Sequence, residues 1–159
     1  MDEPENINLI YQFNNKSRST GFYILYILSG VVFLLASCIL IFTNRDILLV
    51  VTIIVAIIYF ILLHRIKPSY IEVLVTDHEL QVNYYSVAAA LKSYRSILIE
   101  IDHFKGFIIK KSTLGLSRQL ILSVESKKGL ADYPPVSISI LKKSEIDQIS
   151  TVLSKITQP

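Results

Sequence analysis

The side chains best suited to acid–base chemistry or metal binding are His64, His78 and His103. Two of them directly follow an aspartate, as Asp77-His78 and Asp102-His103, and imidazole with carboxylate is a common zinc ligand set. The two pairs are 25 residues apart and lack the spacing of known metal motifs. Neighbouring strand residues also point to opposite faces, so one pair cannot readily chelate together. We therefore expect solvated turn or edge residues rather than a metal site.

Other catalytic signatures are missing from the sequence. No serine, cysteine or threonine lies in a Gly-x-Ser-x-Gly or comparable context, and Gly115 and Gly129 stand alone rather than in a phosphate-binding loop. The long apolar segments contain no charged side chain that could serve an active site inside a membrane. We therefore expect no enzymatic activity and no cofactor.

Pairs of lysines offer a different chemistry, which is attraction to anionic phosphate groups. Residues 65–159 carry 13 Lys and Arg against 9 Asp and Glu. Three doublets occur among these cations: Lys110-Lys111, Lys127-Lys128 and Lys142-Lys143. A cation near an anionic leaflet contributes about 1 kcal/mol of binding, so the doublets are candidate lipid-headgroup contacts; the alternative is solvated loop ends. The small charge excess and the lack of a recognition motif predict no nucleic-acid binding.

The single cysteine, Cys38, follows Leu35, Ala36 and Ser37, which matches the cleavage box of bacterial lipoproteins. A lipidated cysteine would be followed by a polar tether, whereas here four apolar residues and a second apolar segment follow. We expect an unmodified, small apolar side chain within a helix. With one cysteine, no intramolecular disulfide supports the chain.

Two long uncharged segments must position the rest of the chain. Residues 21–42 form a 22-residue segment and residues 47–63 a 17-residue segment, joined by a polar turn at 43–46. Because about 20 apolar residues cross a bilayer core, the sequence predicts an antiparallel transmembrane hairpin within residues 21–64. A buried soluble hairpin would need more covering residues than remain, and the acidic start of the chain disfavours a cleaved secretory signal.

The cations beside these segments indicate an orientation. Lys16 and Arg18 precede the first segment, Arg65 and Lys67 follow the second, and the turn contains only Arg45. Cationic flanks resist translocation, so both termini are predicted to be cytoplasmic, with the inverted topology as the alternative.

Small residues could let the two helices approach closely. They occur at Ser29, Gly30, Ala36 and Ser37 in the first segment and at Ala56 in the second. Small surfaces allow close packing of membrane helices. We expect them to pack within the hairpin, and docking to another membrane subunit is the alternative.

After Pro68 the hydrophobic pattern becomes alternating, which is typical of half-buried strands. One stretch alternates at Ile71, Val73 and Val75, and the next, after a turn at 77–79, alternates from Leu80. Similar stretches lie at 97–101, 106–110, 120–124 and 136–140. Six or seven short strands without crossover helices predict an antiparallel sheet.

The two ends of the chain differ. Residues 1–20 are mostly polar, which predicts a flexible N-terminal tail, with a short interfacial segment as the alternative. Residues 144–156 predict a helix, with Ser144 as N-cap and Asp147 completing a capping box. An apolar face at helical spacing should close one end of the sheet. That face consists of Ile146, Ile149, Leu153 and Ile156.

A transmembrane hairpin followed by antiparallel strands and a C-terminal helix resembles bacterial membrane proteins with a pleckstrin-homology-like domain. The run Val75, Thr76, Asp77, His78, Glu79, Leu80 is similar to the first hairpin of that family. The resemblance implies a partial barrel of six or seven strands over residues 65–159, closed by the helix, in a bacterial inner membrane. Phosphoinositide-binding members place cations in this hairpin, whereas the loop here is acidic.

Together these features predict a membrane-anchored α+β protein that acts by binding. We expect a scaffold or accessory subunit of a membrane complex, whose partners are the lipid bilayer and either another protein or a second copy of the chain. Strand edges would be the docking surface. The alternatives are an anionic-lipid-sensing regulatory domain and an immunity-type membrane protein.

Overall fold

The computed structural model describes residues 9–87, 93–112, 115, 117–126 and 129–157. Over these residues the protein is α+β, with two long apolar helices, two four-stranded antiparallel sheets and a C-terminal helix. Its elements, in chain order, are β1 (Leu9–Asn14), α1 (Lys16–Phe42), α2 (Asp46–Ile66), β2 (Ser69–Thr76), β3 (Glu79–Ser86), β4 (Arg95–Glu100), a 3-10 turn (Ile101–His103), β5 (Phe104–Lys111), β6 (Arg118–Ser126), β7 (Gly129–Asp132), β8 (Val136–Ser137) and α3 (Lys143–Thr157).

The helices α1 and α2 form the predicted antiparallel hairpin. At 1.5 Å per residue, their 27 and 21 residues extend about 40 and 32 Å. Both are long and apolar enough to cross a membrane, and no residue in the most apolar stretch of either helix is buried. Both exceed the predicted limits of 21–42 and 47–63. The first turn of α1 is polar because it packs against the β-domain, where Ser19 is 1% exposed.

Aromatic rings hold the two helices together. Tyr26 and Phe60 meet edge to face with ring centroids 5.4 Å apart, and Phe33 lies 5.7 Å from Tyr59. Gly30 faces the Phe60 ring, and a Cβ there would lie 3.9 Å from it, which is an ordinary contact. Gly30 therefore lies within the hairpin interface, but the contact does not require a glycine.

Residues 9–14 are not the predicted tail, because they form strand β1. This strand pairs antiparallel with β2, which places Phe13 opposite Val73 and Asn14 opposite Glu72. Tyr11 and Phe13 pack against the hydrophobic core. The β-domain therefore includes residues from both sides of the hairpin, and the chain before α1 lies on the same side of the hairpin as the chain after α2.

All strand pairs are antiparallel, as predicted, but they form two sheets. The first has the order β1-β2-β3-β4, and in the second β6 pairs with β5, β7 and β8. Eight strands are described rather than six or seven, partly because β1 comes from the N-terminal segment. The predicted strand at 136–140 is limited to Val136–Ser137, since the chain turns before α3.

The core lies between the inner faces of the two sheets and α3. Ile71, Val73 and Val75 are all 0% exposed, as the alternation predicts. The predicted apolar face of α3 is confirmed, because Ile146, Ile149 and Leu153 are buried and Ile156 packs against the cluster. The two sheets and α3 therefore share one hydrophobic core.

The predicted cap of α3 is wrong. The helix begins at Lys143, one residue before Ser144, and Ile146 N donates to Lys142 O. The Glu145 carboxylate accepts a hydrogen bond from Lys142 N at 2.7 Å. Glu145 therefore provides the glutamate half of a capping box, with Lys142 rather than Ser144 at the N-cap position.

Candidate functional site

The two histidine-aspartate pairs lie at the end of the first sheet far from α1 and α2. His78 is in the β2–β3 turn, and its carbonyl accepts a hydrogen bond from Ile101 N, so the segments containing the pairs do meet. His103 contacts Glu100 at 3.0 Å. His64 is elsewhere, at the end of α2. Among the described residues, no group of three or more His, Cys, Asp and Glu is arranged to hold a metal.

A buried asparagine connects the hairpin to the β-domain. Asn15, between β1 and α1, donates from Nδ2 to Ser69 O at 3.0 Å and accepts at Oδ1 from Ile71 N at 2.9 Å. Its backbone N–H also donates to Ile71 O. The side-chain amide thus continues the β1–β2 ladder by one more pair, at the point where both helices leave the domain.

A second connection joins α1 to α3. Arg18 donates from Nη1 to the Ile140 carbonyl at 3.1 Å and to the Glu145 carboxylate at 2.5 Å. On the other side of the junction, Ser137 Oγ donates to Lys67 O at 2.7 Å. The domain is therefore docked on the hairpin through both helices rather than hanging from a loose linker. We call these contacts the junction.

Burial raises the pKa of the Glu145 carboxyl, but the hydrogen bond from Lys142 N and the contacts with Arg18 outweigh it and leave the pKa below its usual 4.5. A carboxyl whose pKa is lower in the folded state than in the unfolded state stabilises the fold at any pH above its unfolded-state pKa. This stabilisation is lost as the pH falls through the folded-state pKa. We expect Glu145→Gln to be about 1–2 kcal/mol less stable than the original chain at pH 7, and this gap to shrink below pH 4.5.

The measurement is chemical unfolding of the detergent-solubilised chain across this pH range. Glu79→Gln, which removes an exposed carboxylate at the β2–β3 turn, is the control and should show no comparable gap. A gap between Glu145→Gln and the original chain that stays constant from pH 7 to pH 3 would show that the charge of Glu145 does not stabilise the junction.

The two described lysine doublets come from different elements. Lys110 and Lys111 end β5, where Lys110 lies opposite Gln119. Lys142 and Lys143 lie at the start of α3, next to the Arg18 contact. Both of these doublets are exposed and lie at the end of the domain nearest the hairpin. The doublet Lys127-Lys128 falls outside the described residues.

A cleft of about 560 Å³ lies between the two sheets, where β4 ends the first sheet and β7 ends the second. We call it the edge cleft. Both strands have one partner among the described strands, so each leaves one edge of its backbone for another chain. Its walls include Leu98, which is 53% exposed, and Ala131. Leu130, 76% exposed, is the neighbouring residue on β7.

The edge cleft is acidic although the whole chain has a net charge of +3. Its lining includes the carboxylates of Glu100, Glu125 and Asp132. Lys105 pairs with Glu125 at 2.7 Å, and the hydrogen bond between them lowers the pKa of Glu125. Near neutral pH these carboxylates outnumber the adjacent cations, which favours a basic ligand.

Sequence reasoning missed this cleft. Its three carboxylates come from β4, β6 and β7, and in the sequence they are isolated acidic residues on strands. Alternation predicted β4 and β6 but not β7, and only the folded chain shows that β4 and β7 are edge strands that line the same cleft.

No protein family, curated protein or solved structure matches this chain. The function proposed below therefore rests on the geometry of the chain itself.

Proposed function

We propose that this protein is a non-catalytic interaction module, anchored in a membrane by the α1–α2 hairpin, that serves as a scaffold or accessory subunit of a membrane complex. Two long apolar helices support the anchoring, because the rest of the protein does not cover their most apolar stretches. A water-soluble protein rarely exposes so large an apolar surface, and a bilayer would cover it.

We propose in addition that the β-domain is pleckstrin-homology-like and faces the cytoplasm. Two antiparallel sheets of four strands and a C-terminal helix are compatible with a pleckstrin-homology-like domain. The flanking cations Lys16, Arg18, Arg65 and Lys67 lie at the domain end of the hairpin, and the opposite turn has only Arg45. This distribution supports a cytoplasmic domain. The bacterial inner membrane is proposed from the resemblance to pleckstrin-homology-like membrane proteins alone.

The observation that carries the binding function is the edge cleft. An extended segment could add to the edge of β4 through main-chain hydrogen bonds, in place of the 3.5 Å hydrogen bond that Tyr133 Oη donates to Leu98 O. Its lysines or arginines would face Glu100, Glu125 and Asp132. Leu98 would contact an apolar side chain of the same segment. We therefore assign the cleft an extended, basic segment of a partner protein.

The junction determines how the partner is presented. Because Asn15 and Arg18 fix the domain on the hairpin, the edge cleft keeps one orientation relative to the membrane. A partner in the same membrane would meet the cleft in two dimensions, which raises its effective concentration. If the β-domain were purified without the hairpin, the same cleft contacts would bind the partner more weakly.

Site-specific crosslinking in native membranes tests this assignment. A photoreactive phenylalanine analogue replaces Leu98 in the edge cleft or, as a control, Gln148 on the exposed side of α3. We expect an adduct from position 98 and at least tenfold less from position 148. Sequencing of the crosslinked peptide should place the adduct in a segment rich in lysine and arginine.

Three results would contradict the assignment: no adduct at position 98, equal adducts at both positions, or an adduct within an acidic segment.

A further inference from the structure

An open groove of about 760 Å³ runs along the seam of α1 and α2, within the part of the hairpin that would be in a bilayer. Its walls are apolar and aromatic over most of its length, including Phe33, Ile57 and Phe60, and Ala56 leaves space on one side. At the domain end the lining changes to His64 and Arg65. The groove is therefore apolar with a cationic mouth.

A second cavity, of about 440 Å³, begins where the first one ends. It lies between the hairpin end of the β-domain and the end of α2, and both cavities include His64. Its lining contains the cations Lys67 and Arg95 and several hydroxyl groups, among them Ser69 and Ser137. None of its described lining residues is acidic.

Among the residues that the structure describes, the cations of this region form no ion pair. The ion pairs of the described residues join Arg18 with Glu145, His103 with Glu100 and Lys105 with Glu125. Lys67, Arg95 and Arg65 belong to none of these pairs and are exposed. Several cations that converge where no carboxylate lines the cavity form a typical phosphate-binding environment.

A neighbouring recess adds tyrosines at the same level. Tyr70 and Tyr85 stack with ring centroids 4.8 Å apart, and Tyr94 lies 4.6 Å from Tyr85. The recess includes Lys16 and Arg95, and one carboxylate, that of Glu72. Burial, followed by the nearby charge of Glu72, raises the pKa of Tyr70, and the two side chains share a hydrogen bond. Tyrosines are enriched at membrane interfaces.

We propose that the hairpin groove and the adjoining cationic cavity together bind one anionic phospholipid, with an acyl chain between α1 and α2 and the headgroup phosphate at His64, Lys67 and Arg95. The apolar groove matches the acyl chain, which lies inside the bilayer, and the cationic cavity matches the headgroup, which lies at its surface. A second copy of the hairpin is a poorer occupant, because in the same orientation it would bring an identical set of cations to the same mouth. This site is separate from the edge cleft and does not depend on it.

Native mass spectrometry of the full-length chain in detergent tests the proposal. The probes are phosphatidylglycerol, phosphatidylcholine with the same acyl chains, and glycerol 3-phosphate. We expect one phosphatidylglycerol to be retained in preference to phosphatidylcholine, and each of Lys67→Gln and Arg95→Gln to weaken its binding roughly fivefold. Arg95→Lys should keep most of the binding, and Lys155→Gln, at the far end of α3, should keep all of it.

Ala56→Leu fills the hairpin groove and tests the acyl-chain half separately. We expect it to reduce phosphatidylglycerol retention, and we expect glycerol 3-phosphate to compete poorly. Equal retention in Lys67→Gln, Arg95→Gln and Lys155→Gln would overturn the headgroup site. Full competition by glycerol 3-phosphate, with no effect of Ala56→Leu, would overturn the lipid and identify a soluble phosphate ligand instead. Thermal unfolding of each variant confirms that it is folded.

Discussion

Replacing Asn15 with alanine is expected to destabilise the docking of the β-domain by about 2–6 kcal/mol, because two buried backbone groups lose their partners at once. These groups are the carbonyl of Ser69 and the N–H of Ile71, both within 3.0 Å of the Asn15 amide. Each unsatisfied buried group costs about 1–3 kcal/mol, and water has little access to replace the amide at this site. The measurement is hydrogen exchange of β1 and β2 in detergent, together with chemical unfolding.

The neighbouring residue provides a matched control. Asn14 is exposed, and its side chain accepts only a long hydrogen bond of 3.4 Å from Lys16 N. Asn14→Ala removes the same chemical group one position away and should change stability by less than about 0.5 kcal/mol. If the two variants unfolded alike, the junction would not be held by the buried amide, and a fixed orientation of the domain would lose its main support.

Replacing Leu153 with alanine is expected to lower the free energy of unfolding of the β-domain by about 2–5 kcal/mol. Leu153 is 1% exposed and belongs to the face of α3 that packs into the core between the sheets. Truncation removes buried apolar surface and leaves a cavity that a helix packed on a β-domain cannot fully close. Chemical unfolding in detergent, followed by tyrosine fluorescence, measures the change.

Leu130→Ala makes the same chemical change at a side chain that is 76% exposed. We expect it to alter stability by less than about 0.5 kcal/mol. A small effect at Leu153 together with a small effect at Leu130 would mean that α3 does not contribute to a shared core, contrary to the burial of its apolar face.

Much of the fold could be predicted because local patterns decide it. The period-two alternation from Ile71 to Val75 marks a strand with one buried face, and the spacing of Ile146, Ile149 and Leu153 marks the buried face of a helix. The hairpin followed from segment length and apolar composition. In each case the pattern lies within one segment, so no long-range contact had to be known.

The other features depend on long-range pairing. Residues 9–14 are short and flanked by polar residues, and they form a strand because β2 offers them a free edge after the chain has passed through both helices. Asn15 gains its role from partners 54 and 56 residues away in the sequence. Glu145, rather than Ser144, caps α3 because Arg18 holds its carboxylate beside the helix start.

The candidate site illustrates the same limit. The lysine doublets stood out in the sequence because they are contiguous, whereas the carboxylates of the edge cleft and the cations near His64 are scattered along the chain. Sequence reasoning favours residues that are adjacent in the chain, but binding sites require only that residues be adjacent in space.

The most direct test of the account is whether partner capture depends on the carboxylates of the edge cleft. Glu100→Gln, Glu125→Gln and Asp132→Asn are combined in the chain that carries the photoreactive residue at position 98. The control combines Asp77→Asn, Glu79→Gln and Asp147→Asn, three exposed carboxylates outside the cleft. We predict at least a tenfold loss of the adduct in the cleft variant and none in the control. An undiminished adduct in the cleft variant, or an equal loss in both, would contradict an acidic cleft that binds a basic partner.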